Sequence, residues 1–321
     1  MTSSFETQPI VVGIDVGGTK VALTAADRQG QLLSELTIPT LAHDEPPRQI
    51  IRRIADAVHQ VQAQAGRPLA GIGIACPGPV DPLRGIAISA VNLGWQDVEL
   101  RDELQKAGHF NVPIWLQNDV KAGALGEAIF GTAIGEPNFV YLAIGTGLAG
   151  GALIQGNPLN GATGCALEVG HISIDPHGPL CPCGLRGCVE MYLSGKGLMT
   201  GMKAHIAEHP ESPWANRDFS THDIIAAARE GDEASLAIID RAGEVLGEVL
   251  KWCTIILNPS LIVIGGGMGH AAYDLLIDRA LEAVKAGVLK QNFEALNIRK
   301  SIMESSALGP AAVAWHNLEQ N

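Results

Sequence analysis

Four residues near the middle of the chain have the types and the spacing of a closed metal site. They are His171, Cys181, Cys183 and Cys188. Three thiolates and one imidazole fill a tetrahedral zinc shell, and such short cysteine spacings suit one loop that wraps around one ion. A shell without an open position indicates a structural Zn²⁺, since a catalytic zinc keeps one position for water or substrate. The three other cysteines, Cys76, Cys165 and Cys253, are scattered and are expected to be buried small apolar residues.

A carboxylate that could act as a general base lies in the pair Asn118-Asp119, where a predicted strand gives way to a predicted helix. A base there can accept the proton of a substrate hydroxyl, the one acid–base step that phosphoryl transfer to an alcohol needs. The same pair is also a common helix N-cap, which is the alternative interpretation. Glu168 and Glu190 flank the cysteine loop, where surface carboxylates are the ordinary expectation, and Asn92 lies in a loop that could line a sugar site.

A glycine-rich turn near the start of the chain joins two predicted strands. Its candidate phosphate-binding residues are Asp15, Gly17, Gly18, Thr19 and Lys20. Paired glycines let the backbone turn tightly and leave amides and the Thr19 hydroxyl available to a phosphate, and Asp15 could hold a Mg²⁺-bound water. A plain hairpin turn is an equally good interpretation when the motif is taken alone. Neither the spacing nor a following helix fits a Walker A loop.

Two further glycine runs lie in the second half of the chain. Residues 145–150 match G-x-G-x-x-G, but the dinucleotide fingerprint opens a helix and this run continues as a hairpin, so we reject an NAD site. The hairpin, with Gly145, Thr146 and Gly147, instead suits the β- or γ-phosphate of a nucleotide. Gly265, Gly266 and Gly267 follow a predicted strand and precede a helix, which suits the adenosine end and equally a tight strand-to-helix turn.

Hydrophobic periodicity predicts an α/β protein with a mixed sheet fed by a hairpin. The order of predicted elements in the first part is β-β-β-α-β-α-β. The predicted strands are Ile10–Ile14, Val21–Ala25, Gln31–Ile38, Leu69–Ala75, Pro113–Gln117, a pair within Phe139–Ile154, and Leu261–Ile264. The predicted helices are about 45–65, 98–108, 118–130, 232–257, 272–287 and 310–318.

The composition is that of a well-packed enzyme of two lobes: the chain has 321 residues, 46% hydrophobic and 17% charged. A formal net charge of −12 argues against nucleic acid as a partner, because such proteins usually present a basic face. The first nine residues are polar and resemble no secretory signal, and no apolar run reaches the roughly 20 residues that span a bilayer. We therefore expect a cytoplasmic protein without a membrane partner.

Together these motifs resemble the ROK family of bacterial sugar kinases and related repressors. The resemblance runs in order along nearly the whole chain. It includes the Asp15–Lys20 turn, Cys76-Pro77-Gly78, Asn118-Asp119, the turn at 145–151, Glu168-Val169-Gly170-His171, the cysteine loop to Glu190, and Gly265–Gly267. The E-x-G-H element followed by C-x-C-G-x-x-G-C-x-E is the most specific part, and Asn92-Leu93-Gly94-Trp95 is similar to the glucokinase branch.

The resemblance implies an actin-like (ribonuclease H-like) two-lobe sugar kinase fold, in which ATP and sugar meet in the cleft between the lobes. The lobes would be 1–117 with about 300–321, and 118–299 with the zinc loop. It implies ATP with Mg²⁺ as phosphoryl donor and structural Zn²⁺, in an enzyme of glycolysis and carbohydrate metabolism. The expected oligomer is a homodimer or homotetramer.

By the same resemblance, Asp119 would deprotonate the 6-hydroxyl of a hexose. Asn118, Glu168, His171 and Glu190 would hold the other hydroxyls, and Gly78 and Asn92 would close the pocket. His171 would bind zinc through one ring nitrogen and turn its other N–H to the sugar, because zinc ligation fixes the tautomer. Two positions depart from the family pattern: Leu167 stands where glycine is expected, and Leu148-Ala149 where smaller residues are common.

The sequence leaves the sugar and one other class of function open. D-glucose is the first expectation, with fructose, mannose, allose or an N-acetylhexosamine as alternatives. The repressors of the family carry an added N-terminal DNA-binding domain, for which the turn at residue 15 leaves no room. A catalytically inactive sugar sensor is a third possibility. The presence of Asp119 and of the three glycine turns argues against it.

Overall fold

Strands and helices alternate along most of the computed structural model, which describes residues 8–42, 44–303 and 305–320. The strands are β1 Ile10–Val16, β2 Lys20–Ala26, β3 Leu32–Pro39, β4 Leu69–Cys76, β5 Val80–Asp81, β6 Ile86–Ala90, β7 Trp95–Val98, β8 Ile114–Asn118, β9 Phe139–Ile144, β10 Leu148–Ile154, β11 Asn157–Pro158, β12 Leu261–Gly265 and β13 Asn297–Lys300. The α-helices are α1 Pro47–Ala65, α2 Leu100–Gly108, α3 Asp119–Phe130, α4 Gly195–Glu208, α5 Thr221–Arg229, α6 Glu233–Leu257, α7 Gly267–Gly287, α8 Lys290–Ala295 and α9 Leu308–Gln320. Short 3-10 turns lie at Val91–Leu93, Val169–His171 and Val189–Met191.

The chain divides into two compact units. The first comprises the residues up to Pro137, Gly151–Ala166 and the residues from Ile302 onward, and the second comprises Asn138–Gly150 and Leu167–Ser301. This division assigns α3 to the first unit. The lobe boundaries near 117 and 300 stay a prediction.

The first unit contains a five-stranded sheet in the order β3-β2-β1-β4-β8. β1 pairs antiparallel with β2 and parallel with β4, and β4 pairs parallel with β8. Parallel strands bring their carboxyl ends to one edge of a sheet. The register places Asp15 opposite Ala75, and Cys76 opposite Asn118. This edge therefore collects the polar residues that follow or end β1 and β8.

Helices cover both faces of that sheet. The apolar stripe of α1 packs on one face, where Ile50, Ile54 and Val58 are fully or almost fully buried. On the other face α9 lies directly on β1 and β4. The helix is so close to β4 that any side chain at Gly73 would collide with the carbonyl oxygen of Pro310. Ala311, Ala314 and Trp315 of α9 join Val11 of β1 in the core of this face. Glycine in β4 thus sets the close approach of the helix.

In the second unit β12 pairs in parallel with both β9 and β13, and α6 packs against α7. The helix α6 begins after Asp232, whose side chain accepts from the Ser235 amide, and ends at Asn258, which has a left-handed backbone (φ 45°) and precedes Pro259. Gly266 also has positive φ, 82°, and turns the chain from β12 into α7. Among the described residues, no helix is long and apolar enough to cross a membrane.

The structure confirms the predicted hairpin, α1, β4, β8, α3, α6, β12 and the pair of strands β9 and β10. One helix start was wrong, because α7 begins at Gly267 and not near Ala272. The helices α2 and α9 begin within two residues of their predicted starts, and Trp95–Val98, just before α2, is a strand. The sequence prediction also missed β5, β6, β7, β11, β13, α4, α5 and α8. β5 has two residues and α4 contains three glycines, so neither shows the pattern of its class.

Candidate active site

Asp119, the predicted base, is the first residue of α3 and is exposed. Its Oδ1 accepts hydrogen bonds from the Val120 amide at 2.9 Å and from Asn118 Nδ2 at 2.9 Å. The N-terminus of a helix favours a negative charge through the aligned peptide dipoles. The helix N-terminus and the two hydrogen bonds therefore stabilise a negative charge on this carboxylate, which lies at the surface of the first unit.

Asn118 fixes this arrangement with both ends of its amide group. Its Oδ1 accepts from the amides of Val120 (3.1 Å) and Lys121 (3.3 Å) and so caps the helix. Its Nδ2 donates to Asp119 and to the carbonyl oxygen of Gly78 at 3.1 Å. The N-cap interpretation of this pair is thus correct, and it coexists with the predicted chemistry because the cap orients Asp119. The contact of Asn118 with sugar stays a prediction.

Asp15 stands on β1 at the same sheet edge, where Ser306 Oγ donates to its Oδ2 at 2.8 Å. Burial raises the pKa of the Asp15 carboxyl, and the hydrogen bond from Ser306 and the charge of Lys20 partly offset this rise. Burial, together with the smaller effect of the negative charges of Asp119 and Asp15, raises the pKa of the Cys76 thiol to about 12. Cys76 is therefore a protonated, unreactive thiol between two carboxylates.

The turn after β1 is held mainly by its own hairpin. Gly17 donates its amide to the Lys20 carbonyl at 2.9 Å, and the buried Thr40 donates its hydroxyl to the Gly17 carbonyl at 2.7 Å. Gly18 lies against the backbone of Asn92, whose carbonyl oxygen would be 3.2 Å from a Cβ at that position. The structure thus brings the predicted phosphate turn, with Thr19 and Lys20 exposed, next to the predicted sugar residue Asn92.

In the second unit the four predicted metal ligands form one cluster. One donor atom from each of His171, Cys181, Cys183 and Cys188 lies within 4.8 Å of the others. Cys183 Sγ is 3.5 Å from Cys188 Sγ, and Cys181 Sγ is 3.8 Å from Nδ1 of His171. Ligands of a tetrahedral zinc with bonds of about 2.0–2.3 Å are about 3.6–3.8 Å apart. All six cysteines are free thiols, so the cluster fits a metal and forms no disulfide.

Glu168 and Glu190 stand directly beside this cluster in the chain. Glu168 is exposed and begins the 3-10 turn that carries His171, whose amide donates to the Glu168 carbonyl at 3.1 Å. Glu190 lies in the 3-10 turn that follows Cys188 and accepts from the Leu148 amide at 2.9 Å. Because Nδ1 of His171 points to Cys181, Nε2 is the ring nitrogen left for a substrate.

The second and third glycine turns line one cavity of about 650 Å³ in the second unit. Gly145 and Thr146 contribute from the turn between β9 and β10, and Gly267 contributes from the start of α7. Gly147 lies against Glu190, and Gly265 and Gly266 lie against Tyr141 and the backbone of Ile144. The structure therefore brings the two predicted nucleotide turns to the same cavity.

A comparison with protein families matches residues 11–317 to the ROK family. The chain belongs to the ROK family. It is 34% identical to a glucokinase of Halalkalibacterium halodurans over 88% of this chain and 85% of the relative. Among solved structures it is similar to a ROK hexokinase from Thermus thermophilus (TM-score 0.83, 31% identity), with 97% of this chain and all of the other covered.

A ROK-family glucokinase from Streptomyces griseus in complex with glucose and AMPPNP matches with a TM-score of 0.74 and 28% identity, covering 97% of this chain and all of the other. These likenesses confirm the predicted family and the actin-like two-lobe sugar kinase fold. The chain is also similar to a xylose repressor of Caldicellulosiruptor bescii, at 29% identity over 95% of this chain and 77% of the relative.

The cavity of this ROK-family chain also contains residues that the sequence interpretation missed. They lie on α4, α5 and α7, and include Lys196, Met199, Lys203, Thr221, Ile225 and Met268. The helices α4 and α5 were missed, so their residues had no assigned place. One signal was present: Ser220 and Asp223 form a capping box, which marks the start of α5 in the sequence.

Proposed function

We propose that this ROK-family chain is an ATP-dependent glucokinase, which transfers the γ-phosphate of ATP to the 6-hydroxyl of D-glucose. Relatives that carry the name glucokinase share 30–34% of their residues with it, and the solved glucokinase was crystallised with glucose and AMPPNP. The observation that carries the proposal is the exposed carboxylate of Asp119. Asn118 caps the helix that Asp119 begins and orients the carboxylate with a hydrogen bond.

In the proposed reaction Asp119 accepts the proton of the 6-hydroxyl while that oxygen bonds to the γ-phosphorus. The bond between this phosphorus and the bridging oxygen of ADP breaks, and ADP leaves with the bonding electrons. Phosphoryl transfer passes through a loose transition state, so positioning and charge stabilisation supply most of the catalysis. Asp119 suits this role because its hydrogen bonds fix the carboxylate before the substrate arrives.

The nucleotide proposal uses residues of both glycine-rich turns. Backbone amides at Gly17–Lys20 and at Gly145–Gly147 would bind phosphate oxygens, and Asp15 would hold Mg²⁺ through a water. In the 650 Å³ cavity the apolar side chains of Met199, Ile225 and Met268 suit an adenine ring, and the ammonium groups of Lys196 and Lys203 suit phosphate. Gly265, Gly266 and Gly267 form the turn that seats the adenosine end.

The proposed sugar ligands offer acceptors and donors for a polyhydroxylated ring. The first unit provides Gly78, Asn92, Asn118 and Asp119, and the second provides Glu168, His171 and Glu190. A hydroxyl that finds no partner in such a site costs roughly 1–3 kcal/mol, which corresponds to a five- to hundredfold preference. Epimers of the correct sugar should therefore be poor substrates.

We also propose that the cluster of one histidine and three cysteines binds one structural Zn²⁺. Its donor set and its spacings of 3.5 and 3.8 Å fit a tetrahedral site. The bound ion would cross-link a loop of little regular structure and neutralise thiolate charge. His171 would then hold the tautomer that presents an N–H at Nε2. We further propose that the protein is a homodimer or homotetramer. We place it in the cytoplasm, where ATP and free sugar are both present.

A second candidate function is a sugar-sensing regulator, favoured by the likeness to the xylose repressor. A sensor would need the sugar ligands and would not need Asp119. The retention of Asp119 with its full set of supporting hydrogen bonds favours the kinase. Measurement of ATP consumption with and without sugar separates the two functions.

The deciding experiment is kcat/KM with ATP and Mg²⁺ for glucose, mannose, fructose, allose, N-acetylglucosamine and N-acetylmannosamine under identical conditions. We expect glucose to exceed each of the others by at least fivefold, with glucose 6-phosphate as product. A higher value for another sugar would overturn the glucose assignment and leave the kinase in place. Absence of turnover with every sugar, together with sugar binding, would favour the regulator.

A further inference from the structure

The segment that follows Cys188 holds the turn at Gly145–Leu148 through three hydrogen bonds, all within the second unit. Oε2 of Glu190 accepts from the Leu148 amide at 2.9 Å. At the start of α4, the Gly195 amide donates to the Gly145 carbonyl at 2.8 Å, and the Lys196 amide donates to the Thr146 carbonyl at 3.1 Å. Three of the four residues of this turn are thus bound by a segment more than 40 positions away in the chain.

Glu190 occupies space that the turn leaves for it. A Cβ built on Gly147 would lie 2.5 Å from Oε2 of Glu190, closer than real Cβ contacts. Glycine at this position is therefore needed for the approach of the carboxylate, in addition to any need of the turn itself. The main chain of Glu190 is fixed as well, because Ser194 donates its hydroxyl to the Glu190 carbonyl at 2.7 Å.

The carbonyl side of Leu148 packs against the residues that directly precede His171. A side chain on Gly170 would collide with the carbonyl oxygen of Leu148, and Leu148 itself is only 3% exposed. Its amide thus meets a residue two positions after Cys188, and its carbonyl meets a residue one position before His171. The segments on both sides of the ligand cluster therefore contact the same residue, Leu148, at its two adjacent peptide groups.

We propose that Glu190 is a positioning residue for the nucleotide: its carboxylate fixes the phosphate-binding turn through the Leu148 amide. The inference rests on the proposed function only in taking this turn as a phosphate site. A negative charge beside a phosphate is itself unfavourable, so the contribution of Glu190 is the acceptor atom at the right distance. A glutamine keeps that acceptor without the charge, whereas an aspartate keeps the charge but is one methylene too short.

The test is the dissociation constant of Mg²⁺-AMPPNP, measured by titration calorimetry on full-length protein in the absence of sugar. Glu190→Asp and Glu190→Ala should bind about tenfold more weakly than wild type, the size of one hydrogen bond to a charged group. Glu190→Gln should bind within threefold of wild type, or more tightly. Glu230→Asp, the same change at an exposed carboxylate that follows α5 and does not line the cavity, should bind within twofold of wild type.

Comparison of Glu190→Asp with Glu190→Gln tests the role of Glu190 even if Glu190→Ala does not fold. Aspartate and alanine variants that bind as well as wild type would overturn the inference. So would a glutamine variant as weak as alanine, or an equal loss in Glu230→Asp. Wild-type protein that binds no AMPPNP would overturn both this inference and the proposed kinase. Normal AMPPNP binding without sugar phosphorylation would overturn the kinase alone.

Discussion

The two units hold their proposed functional groups by different means. In the first, Asp15 and Asn118 stand on hydrogen-bonded strands of one sheet, and Asp119 starts the helix that follows. In the second, Glu168, His171 and Glu190 lie between β11 and α4, a stretch with short 3-10 turns and isolated bridges. Placement in the first unit comes from the backbone ladder, whereas in the second we expect it to depend largely on the metal proposed for the ligand cluster.

This difference predicts that changes in the first unit alter chemistry with the fold intact, and that changes in the second alter fold and binding together. Asp119→Asn is the strongest test of the expectation for the first unit. We expect kcat to fall by about a thousandfold, within the usual range for a general base, because the amide cannot accept the proton. The fold should persist, since Asn still accepts from the Val120 amide.

Steady-state kinetics and a thermal melt on the same preparation check this expectation, with sugar affinity measured by calorimetry. The affinity should change far less than kcat. Retention of more than a tenth of the wild-type turnover would show that Asp119 is not the base.

Cys183→Ser is the matching test in the second unit. Cys183 is the exposed ligand, so serine creates no cavity, and any loss reports the missing thiolate. We expect loss of zinc, a fall in melting temperature of at least ~5 °C, and weaker sugar binding through the loop of His171. Elemental analysis, a melt and calorimetry measure the three effects.

Cys165→Ser is the control, because Cys165 is a partly buried cysteine outside the cluster. It should keep one zinc per chain and the wild-type melting temperature to within ~2 °C. Full zinc content in Cys183→Ser would contradict the ligand assignment and remove the contrast between the units.

Asp15→Asn should separate function from stability within the first unit. Burial raises the folded-state pKa of Asp15 above its ordinary value of 3.8, so the ionised carboxylate costs stability at neutral pH. That cost disappears as the pH falls below 3.8, where the side chain is protonated in both states. The Asn variant should therefore melt higher than wild type at pH 7, with a gain that vanishes toward pH 3.8.

The same variant should raise KM for Mg²⁺-ATP by roughly tenfold, because a neutral amide is a poorer ligand for a magnesium-bound water. Glu35→Gln removes an exposed carboxylate from β3 and should leave both properties unchanged. A lower melting temperature at pH 7 for Asp15→Asn would show that burial does not dominate at this carboxyl.

The smallest expected effect concerns Leu167, which has a left-handed backbone with φ of 65° beside Glu168. A leucine in this region is strained by about 1–2 kcal/mol, whereas glycine adopts it without strain. Leu167→Gly should therefore destabilise less than Ala166→Gly, whose position has no positive φ, although it removes the larger side chain. Chemical denaturation of the two variants gives the comparison, and the opposite order would show that Leu167 is unstrained.

Local signals allowed much of the first unit and of the metal cluster to be predicted. The turn after β1 is held by its own hairpin, the cap of α3 lies within Asn118–Lys121, and the four metal ligands fall within 18 positions. The family pattern, which has glycine where this chain has Leu167, is in line with the positive φ of this residue.

The rest depended on contacts between distant parts of the chain. No local pattern relates Glu190 to Leu148, 42 positions earlier. The helix α4 is hard to recognise from sequence because Gly195, Gly197 and Gly201 lower its helix propensity. Its stability comes from packing and from the N-cap of Ser194. For this reason the cavity proposed for the nucleotide became visible only in the structure.

The position of α9 has a consequence for how the protein is made. This helix covers one face of the first unit's sheet, and its backbone touches Gly13 of β1 and Gly73 of β4, yet it comes about 190 positions after β8. During translation that face stays without its helix until residues 308–320 have left the ribosome, roughly ten seconds or more after β8 at ~20 residues per second. The nascent chain thus exposes an apolar sheet for that time, which makes it a natural client for chaperones that bind emerging chains.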